Sequence, residues 1–260
     1  MLYPIFRRVE FRGKARLRRL LPVREEGRPV VRFPRGVVLR LDLRESLQRD
    51  FYFGLADQGE LRVMREHLDG DVVDVGAHIG MYSISAAHEV AGRGRVLAFE
   101  PNPAARAQLE ENLLLNRCEN VVVLAAAAGA APGHGLLHVP ATADPSFSSL
   151  EAGRFAEGDP LDVPVTTVDA AVREHGLQPS FVKVDVEGAE LDVVAGARHT
   201  IDAFRPTLLV EVSERSAPEV QRLLPGYRAF RVERGRLTSG FDGCTGLFNV
   251  LFRPESGRRN

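Results

Sequence analysis

Apolar and polar positions alternate differently in two parts of this chain. Over the first seventy residues the pattern is mixed. Residues 37–43 alternate apolar with polar side chains, the period of a half-buried strand, and residues 61–68 put Leu61, Met64 and Leu68 on one face of a helix. From Asp71 onward, short apolar runs alternate with helical stretches. Residues 72–76, 95–100 and 121–128 read as strands buried on both faces. Helices are expected between them, over 82–90 and 104–116, the second free of internal glycine and proline. Strand–helix–strand–helix–strand order predicts an α/β fold with a parallel sheet and right-handed crossovers.

Further along, residues 136–140 and 163–169 read as strands. The polar stretch 141–160 between them reads as a loop, long enough to serve as a lid or to bind an acceptor. A helix over 169–175 capped by Asp169, a strand over 181–188, a helix over 189–204 and a strand over 207–212 resume the alternation. Residues 227–233 and 247–253 are expected to close the chain as an antiparallel hairpin. Residues 1–69 are expected to form an accessory region, and residues 70–260 the main domain.

Length and charge narrow the partners. The 260 residues suit one large α/β domain with a modest extension, and the net charge of −1 gives no overall field for nucleic acid. The N-terminus is locally basic, with Arg7, Arg8, Arg12, Lys14, Arg16, Arg18 and Arg19 interleaved with Leu17, Leu20 and Leu21. It is either a solvated helix packed on the main domain or a surface that meets an anionic acceptor or a membrane. No apolar run approaches the roughly 18–20 residues of a membrane helix, and no signal-peptide core is present. Cys118 and Cys244 match no metal-ligand spacing and point to a reduced, cytoplasmic setting. Nothing in the pattern sets an oligomeric state.

In an open parallel sheet, ligands bind beyond the carboxyl ends of the strands, where strand order reverses. The first core strand ends in Asp74-Val75-Gly76-Ala77-His78-Ile79-Gly80. Gly76 permits a sharp turn and close backbone approach, and Gly80 lets the next helix start near the sheet. Glu100 ends the second strand about twenty residues past this loop, where an acid can accept from both ribose hydroxyls. His78 stands where G-x-G-x-x-G would have its second glycine, so the loop suits a cationic ligand with an amino-acid tail better than a pyrophosphate. The plainer alternative makes Gly76 and Gly80 turn residues and Glu100 a solvated strand end. Lys183-Val184-Asp185-Val186-Glu187-Gly188-Ala189-Glu190 is the most informative run. If the strand continues that far, Lys183, Asp185 and Glu187 share one side. Attraction to a helix N-terminus accounts for Glu190 and for Glu187 in part, but not for charges in a central strand. Glu211 ends the next apolar strand and is expected near Glu187.

These segments resemble the FkbM-type methyltransferases, a branch of the class I S-adenosylmethionine-dependent enzymes. The resemblance covers about residues 70–211 and is carried by DVVDVGAHIGMYS, AFEPNP with the later Asn112, SFSSL, VPVTTVD, KVDVEGAELDVVAGA and PTLLVEV. It implies a Rossmann-like class I fold: a seven-stranded, mostly parallel sheet with helices on both faces and a C-terminal antiparallel hairpin. It also implies S-adenosylmethionine as cofactor. Asp74, Gly76, Ala77, His78, Gly80, Met81, Tyr82 and Ser83 would hold its methionine part. Glu100, with Pro101 and Asn102, would take the ribose, Ala126 and Ala127 would flank the adenine, and Asp185 would stand beside the cofactor. Two positions depart from the family: His78 replaces a common Asn, and Ala125 a common polar residue. Family members mostly methylate hydroxyls of sugars and natural products, which implies an O-methyltransferase acting on a small-molecule or glycan hydroxyl.

Methyl transfer to a hydroxyl is an in-line displacement by a poor nucleophile, whose pKa is near water's value of about 15.7. A carboxylate in a dry pocket can accept the proton. Glu187 is the first candidate, with Asp185 and Glu211 behind it and Lys183 orienting one of them. Magnesium held by Asp185, Glu187 and Glu211 is an alternative activator. His134 and His138 are bases, ligands or plain surface residues. Ser146–Leu150 contacts acceptor or cofactor, or caps a helix at Ser148 or Ser149. A nicotinamide-dependent oxidoreductase would need the absent G-x-G-x-x-G. A non-catalytic cofactor-binding module sits poorly with intact acids at Asp74, Glu100, Asp185 and Glu187.

Overall fold

The computed structural model describes residues 27–54, 58–139 and 160–255. The basic N-terminal run, residues 141–159 and the Ser146–Leu150 segment lie outside them. The chain enters as a hairpin, β1 (Val30–Arg32) and β2 (Val38–Arg40), followed by α1 (Ser46–Phe53) and α2 (Gln58–Arg65). Alternation then builds β3 (Asp71–Val75), α3 (Met81–Glu89), β4 (Val96–Phe99), α4 (Pro103–Asn116) and β5 (Val121–Leu124). Next come β6 (Ala127–Ala128), β7 (Gly133–Leu137) and β8 (Leu161–Thr166), then α5 (Val168–Glu174), β9 (Pro179–Val184), α6 (Glu190–Gly196) and α7 (Arg198–Phe204). The chain ends with β10 (Thr207–Ser213), α8 (Ala217–Leu223), β11 (Tyr227–Glu233), β12 (Arg236–Ser239) and β13 (Leu247–Pro254).

The main sheet has the order β12-β11-β13-β10-β9-β3-β4-β5. Strands β10, β9, β3, β4 and β5 run parallel, and the C-terminal strands add antiparallel. Sequence order reverses between β3 and β9, so the crevice outside their carboxyl ends is the topological switch point. Period-two alternation distributes the strand residues over two apolar layers. Val72, Ala98, Phe181, Leu209 and Leu251 pack on one face, and Val73, Val75, Leu97, Val182 and Val184 on the other. Residues 31–68 contribute Leu39, Leu41, Phe51, Leu61 and Met64 to the first layer.

Several expected elements differ in detail. The sheet has eight strands rather than seven, because β12 pairs with the outer edge of β11. The run 121–128 is not one strand: it leaves the main sheet after Leu124, and Ala127 and Ala128 pair with β8 in a separate three-stranded sheet. The expected strand 181–188 stops at Val184, and the helix expected over 189–204 is broken at Ala197. Asp169 does not cap α5. Thr167 does, accepting from the Ala170 N–H, while Asp169 accepts from the main-chain N–H groups of His199 and Thr200 at the start of α7. A competing anchor across the fold takes the carboxylate away from its own helix.

Helix α4 shows how the accessory hairpin is held. Asn102 caps it by accepting from the Ala104 N–H, and Pro103 occupies the first turn, where its missing donor is not needed. Gln108, Asn112 and Asn116 recur at four-residue spacing and form an amide stripe along β2. Asn116 accepts from the Val38 N–H and donates to its carbonyl, Asn112 accepts from the Arg40 N–H, and Gln108 donates to the Arg40 carbonyl. The edge of a two-stranded hairpin is thereby satisfied by side chains instead of a third strand. Asn112 is fully buried and also donates to the Ile79 carbonyl at 2.9 Å, so one residue ties the glycine loop to β2. Asn112→Ala strands the half-buried Arg40 N–H and the buried Ile79 carbonyl and is expected to cost about 2–4 kcal/mol in equilibrium urea unfolding. Leu114→Ala, at an 80% exposed site on the same helix, should stay within about 0.5 kcal/mol. Equal losses in both variants would refute the role given to Asn112.

Candidate active site

The turn after β3 is shaped by a close backbone crossing. Gly76 has φ +82, and a Cβ there would lie 1.9 Å from the carbonyl oxygen of Asp185, so no other residue fits. Three successive N–H groups then turn toward the end of β4. Those of Gly76 and Ala77 reach the Phe99 carbonyl at 3.1 and 3.0 Å, and that of His78 reaches Glu100 Oε2 at 2.7 Å. His78 has φ +49, a left-handed conformation that costs a residue with a Cβ about 1–2 kcal/mol. Gly80, at φ +93, leads into α3.

Glu100 is buried, and its other oxygen accepts from the Asn102 N–H at 2.8 Å. Burial pushes its pKa above the ordinary range and Asp74 adds to this, against the opposing pull of His78 and the two main-chain donors. Pro101 is half-buried beside it. Ala77, Met81, Tyr82 and Ser83 are buried around the loop and the first turn of α3.

One cross-strand row of the sheet reads Ala98, Asp74, Lys183, Leu209, Leu251. An acid and a lysine therefore sit side by side in an apolar layer. Lys183 is 4% exposed, with its Nζ 3.6 Å from Asp74 Oδ1, 3.1 Å from Asp185 Oδ2 and 4.4 Å from the centre of the Tyr82 ring. Asp74 Oδ2 accepts from Ser83 Oγ at 2.6 Å, while its Oδ1 is buried with no hydrogen-bond partner among the described residues. Because β9 stops at Val184, Asp185 and Glu187 occupy the turn before α6 and not a strand face. Glu211 does not end its strand but lies within β10, opposite Asn249 and on the same side as Leu209.

The acids at this edge influence one another. Burial raises Glu211 to about 8, with Asp185 and Glu187 adding to the shift and Lys183 opposing it. Burial likewise raises Glu190 to about 7, against a hydrogen bond from the Gly188 N–H. Glu190, which the sequence explained as a helix-terminal charge, thus joins the acidic group. Lys183, Asp185, Glu187 and Glu211 share one neighbourhood, and the loop of residues 74–83 adjoins it. Ala127 instead packs in a small core with Leu137 and Val163, and Ala126 before it is half-buried. His134 is exposed on β7 beside Asp162, and His138 lies just beyond that strand. Among the described residues, no three His, Cys, Asp or Glu side chains are grouped to hold a metal ion. No described helix is long and apolar enough to cross a membrane.

A profile described as the methyltransferase FkbM domain matches residues 74–236. The chain belongs to the FkbM methyltransferase family. Membership sets aside the nicotinamide-dependent alternative. Methyltransferase sdnD of Sordaria araneosa is 28% identical over 197 residues, which span 64% of this chain and 75% of that protein. The crystal structure of the FkbM methyltransferase of Methylobacillus flagellatus KT superposes with a TM-score of 0.50 at 19% identity. That match covers 79% of this chain but only 54% of that one, and it shows a shared fold.

The raised acids predict a pH-dependent stability. A folded-state pKa of about 8 against an ordinary 4.5 means that the folded protein holds the Glu211 proton more tightly than the unfolded chain does. This contribution is complete below the unfolded pKa and is lost as pH rises through the folded one. Glu211→Gln cannot ionise. Its stability relative to wild type should therefore climb between about pH 5 and about pH 8.5 when urea midpoints are compared. A constant difference would show that Glu211 is not desolvated.

Proposed function

We propose that this FkbM-family chain transfers a methyl group from S-adenosylmethionine to a hydroxyl of a sugar or natural-product acceptor, with Glu187 as general base. The supporting observation is the meeting of three strand ends at the switch point, where His78 donates to Glu100 at 2.7 Å and Lys183 lies 3.6 Å from Asp74 and 3.1 Å from Asp185. The residues suit the cofactor. Glu100 is buried but fixed by main-chain donors, which leaves carboxylate lone pairs for ribose hydroxyls. Asp74 Oδ1 is buried and makes no hydrogen bond among the described residues, with the Lys183 ammonium 3.6 Å away, and its negative charge is of the sign an amino-acid ammonium requires.

On this reading Asp74, Gly76, Ala77, His78, Gly80, Met81, Tyr82 and Ser83 hold the methionine part. Glu100, Pro101 and Asn102 take the ribose, Ala126 and Ala127 flank the adenine, and Asp185 stands beside the cofactor. When bound, the cofactor supplies a methyl group already activated on a sulfonium, so the protein's task is placement and proton removal.

The three acids then divide by environment. Asp185 is engaged by the Lys183 ammonium at 3.1 Å. Glu211, raised to about 8, carries its proton near neutral pH. On this reading Glu187, half-buried in the turn before α6, takes the acceptor's proton. With two free cysteines, we place the reaction in the cytoplasm. Glu187→Gln should leave S-adenosylhomocysteine affinity within about twofold and lower transfer of labelled methyl to a panel of hydroxyl acceptors by about a hundredfold to ten-thousandfold. Undiminished transfer would remove Glu187 from the chemistry. A wild-type chain that binds the cofactor and methylates no acceptor would favour a binding module.

A further inference from the structure

The residues before β3 contribute a carboxylate to the back of this site. Glu45, at the start of α1, places Oε2 3.5 Å from His78 Nε2, with the two side chains only 14% and 18% exposed. Glu45 lies outside the residues matched to the family, 74–236. It is itself held in place. Its carboxylate accepts from Gln48 Nε2, and the fully buried Gln48 accepts from the Asp42 N–H at 2.6 Å and from Gln108 Nε2 at 2.7 Å. A continuous polar chain therefore runs from the amide stripe of α4 through Gln48 and Glu45 to the His78 ring. From there the His78 N–H reaches Glu100 at 2.7 Å.

His78 is the strained point of that path. A side chain larger than glycine holds φ +49 only when its surroundings fix it. Its ring is fixed on one side by Glu45, and on the other it is close enough to Glu100 to act on that group's ionisation. We propose that Glu45 is a positioning residue for the nucleoside end of the cofactor site. It holds His78 in the left-handed conformation that aims the His78 N–H at Glu100. The proposal rests on the reading of Glu100 as the ribose acid.

The test is a double-mutant cycle on the full chain, with S-adenosylhomocysteine binding followed by calorimetry. The four proteins are wild type, Glu45→Ala, His78→Asn and the double variant. Asparagine adopts the left-handed region readily and needs no ring partner there. Glu45→Ala should weaken binding by about tenfold in the wild-type background and by less than about twofold beside His78→Asn. An equal loss in both backgrounds would mean that Glu45 supports the fold alone, and no loss in either would mean that it does nothing at the site. Either result overturns the proposal. Should Glu45→Ala fail to give a cooperative thermal transition, Glu45→Gln keeps an acceptor for Gln48 while removing the charge facing His78, and the same cycle is read with it. A wild-type chain that does not bind S-adenosylhomocysteine would defeat the cofactor-site reading itself, whereas binding indifferent to Glu45 would defeat this inference only.

Discussion

A buried lysine in the middle of a parallel sheet governs much of this structure. Lys183 occupies a cross-strand row that is otherwise apolar apart from Asp74. A charge removed from water at that depth is tolerated only when it is paired. Asp74 on the neighbouring strand and Asp185 in the following turn supply the pairing, and the Tyr82 ring covers the ammonium. These partners come from three segments that must all be in register. The pair contributes little net stability, because desolvation offsets most of its attraction. It does make any slip of β9 against β3 costly, since a one-residue shift would move Lys183 to the opposite face.

The backbone adds a second constraint at the same place. The turn after β3 passes so close to the Asp185 carbonyl that only glycine fits at position 76. The glycine loop and the turn after β9 are therefore one unit, and the end of β4 is tied to them through the Phe99 carbonyl and Glu100. Acids gathered at this edge cannot all be solvated. Their raised proton affinities follow from burial first and from mutual repulsion second. Such clustering of shifted groups in a crevice at a sheet's switch point is the arrangement that acid–base chemistry requires.

The N-terminal residues do more than cover an apolar layer. The amide stripe of α4 binds the edge of β2 and also the Ile79 carbonyl, so the hairpin and the glycine loop share an anchor in Asn112. Electrostatic and hydrogen-bonded contacts thereby connect a region without family motifs to the part of the chain that carries them.

Local patterns in the sequence determined the alternation of strands and helices, the positions of Gly76 and Gly80, and the acid at the end of β4. Each depends on residue period or on backbone freedom within a few positions. The charged run from Lys183 to Glu190 was legible because charges are foreign to a central strand. Tertiary structure alone decided where β5 ends, that β12 adds an eighth strand, and that Thr167 displaces Asp169 as a cap, because partners distant in sequence compete for the same groups. It alone also placed Glu45 against His78 and set the protonation of Glu211 and Glu190. Burial and through-space charge arise only once the layers have closed, and no spacing along the chain encodes them.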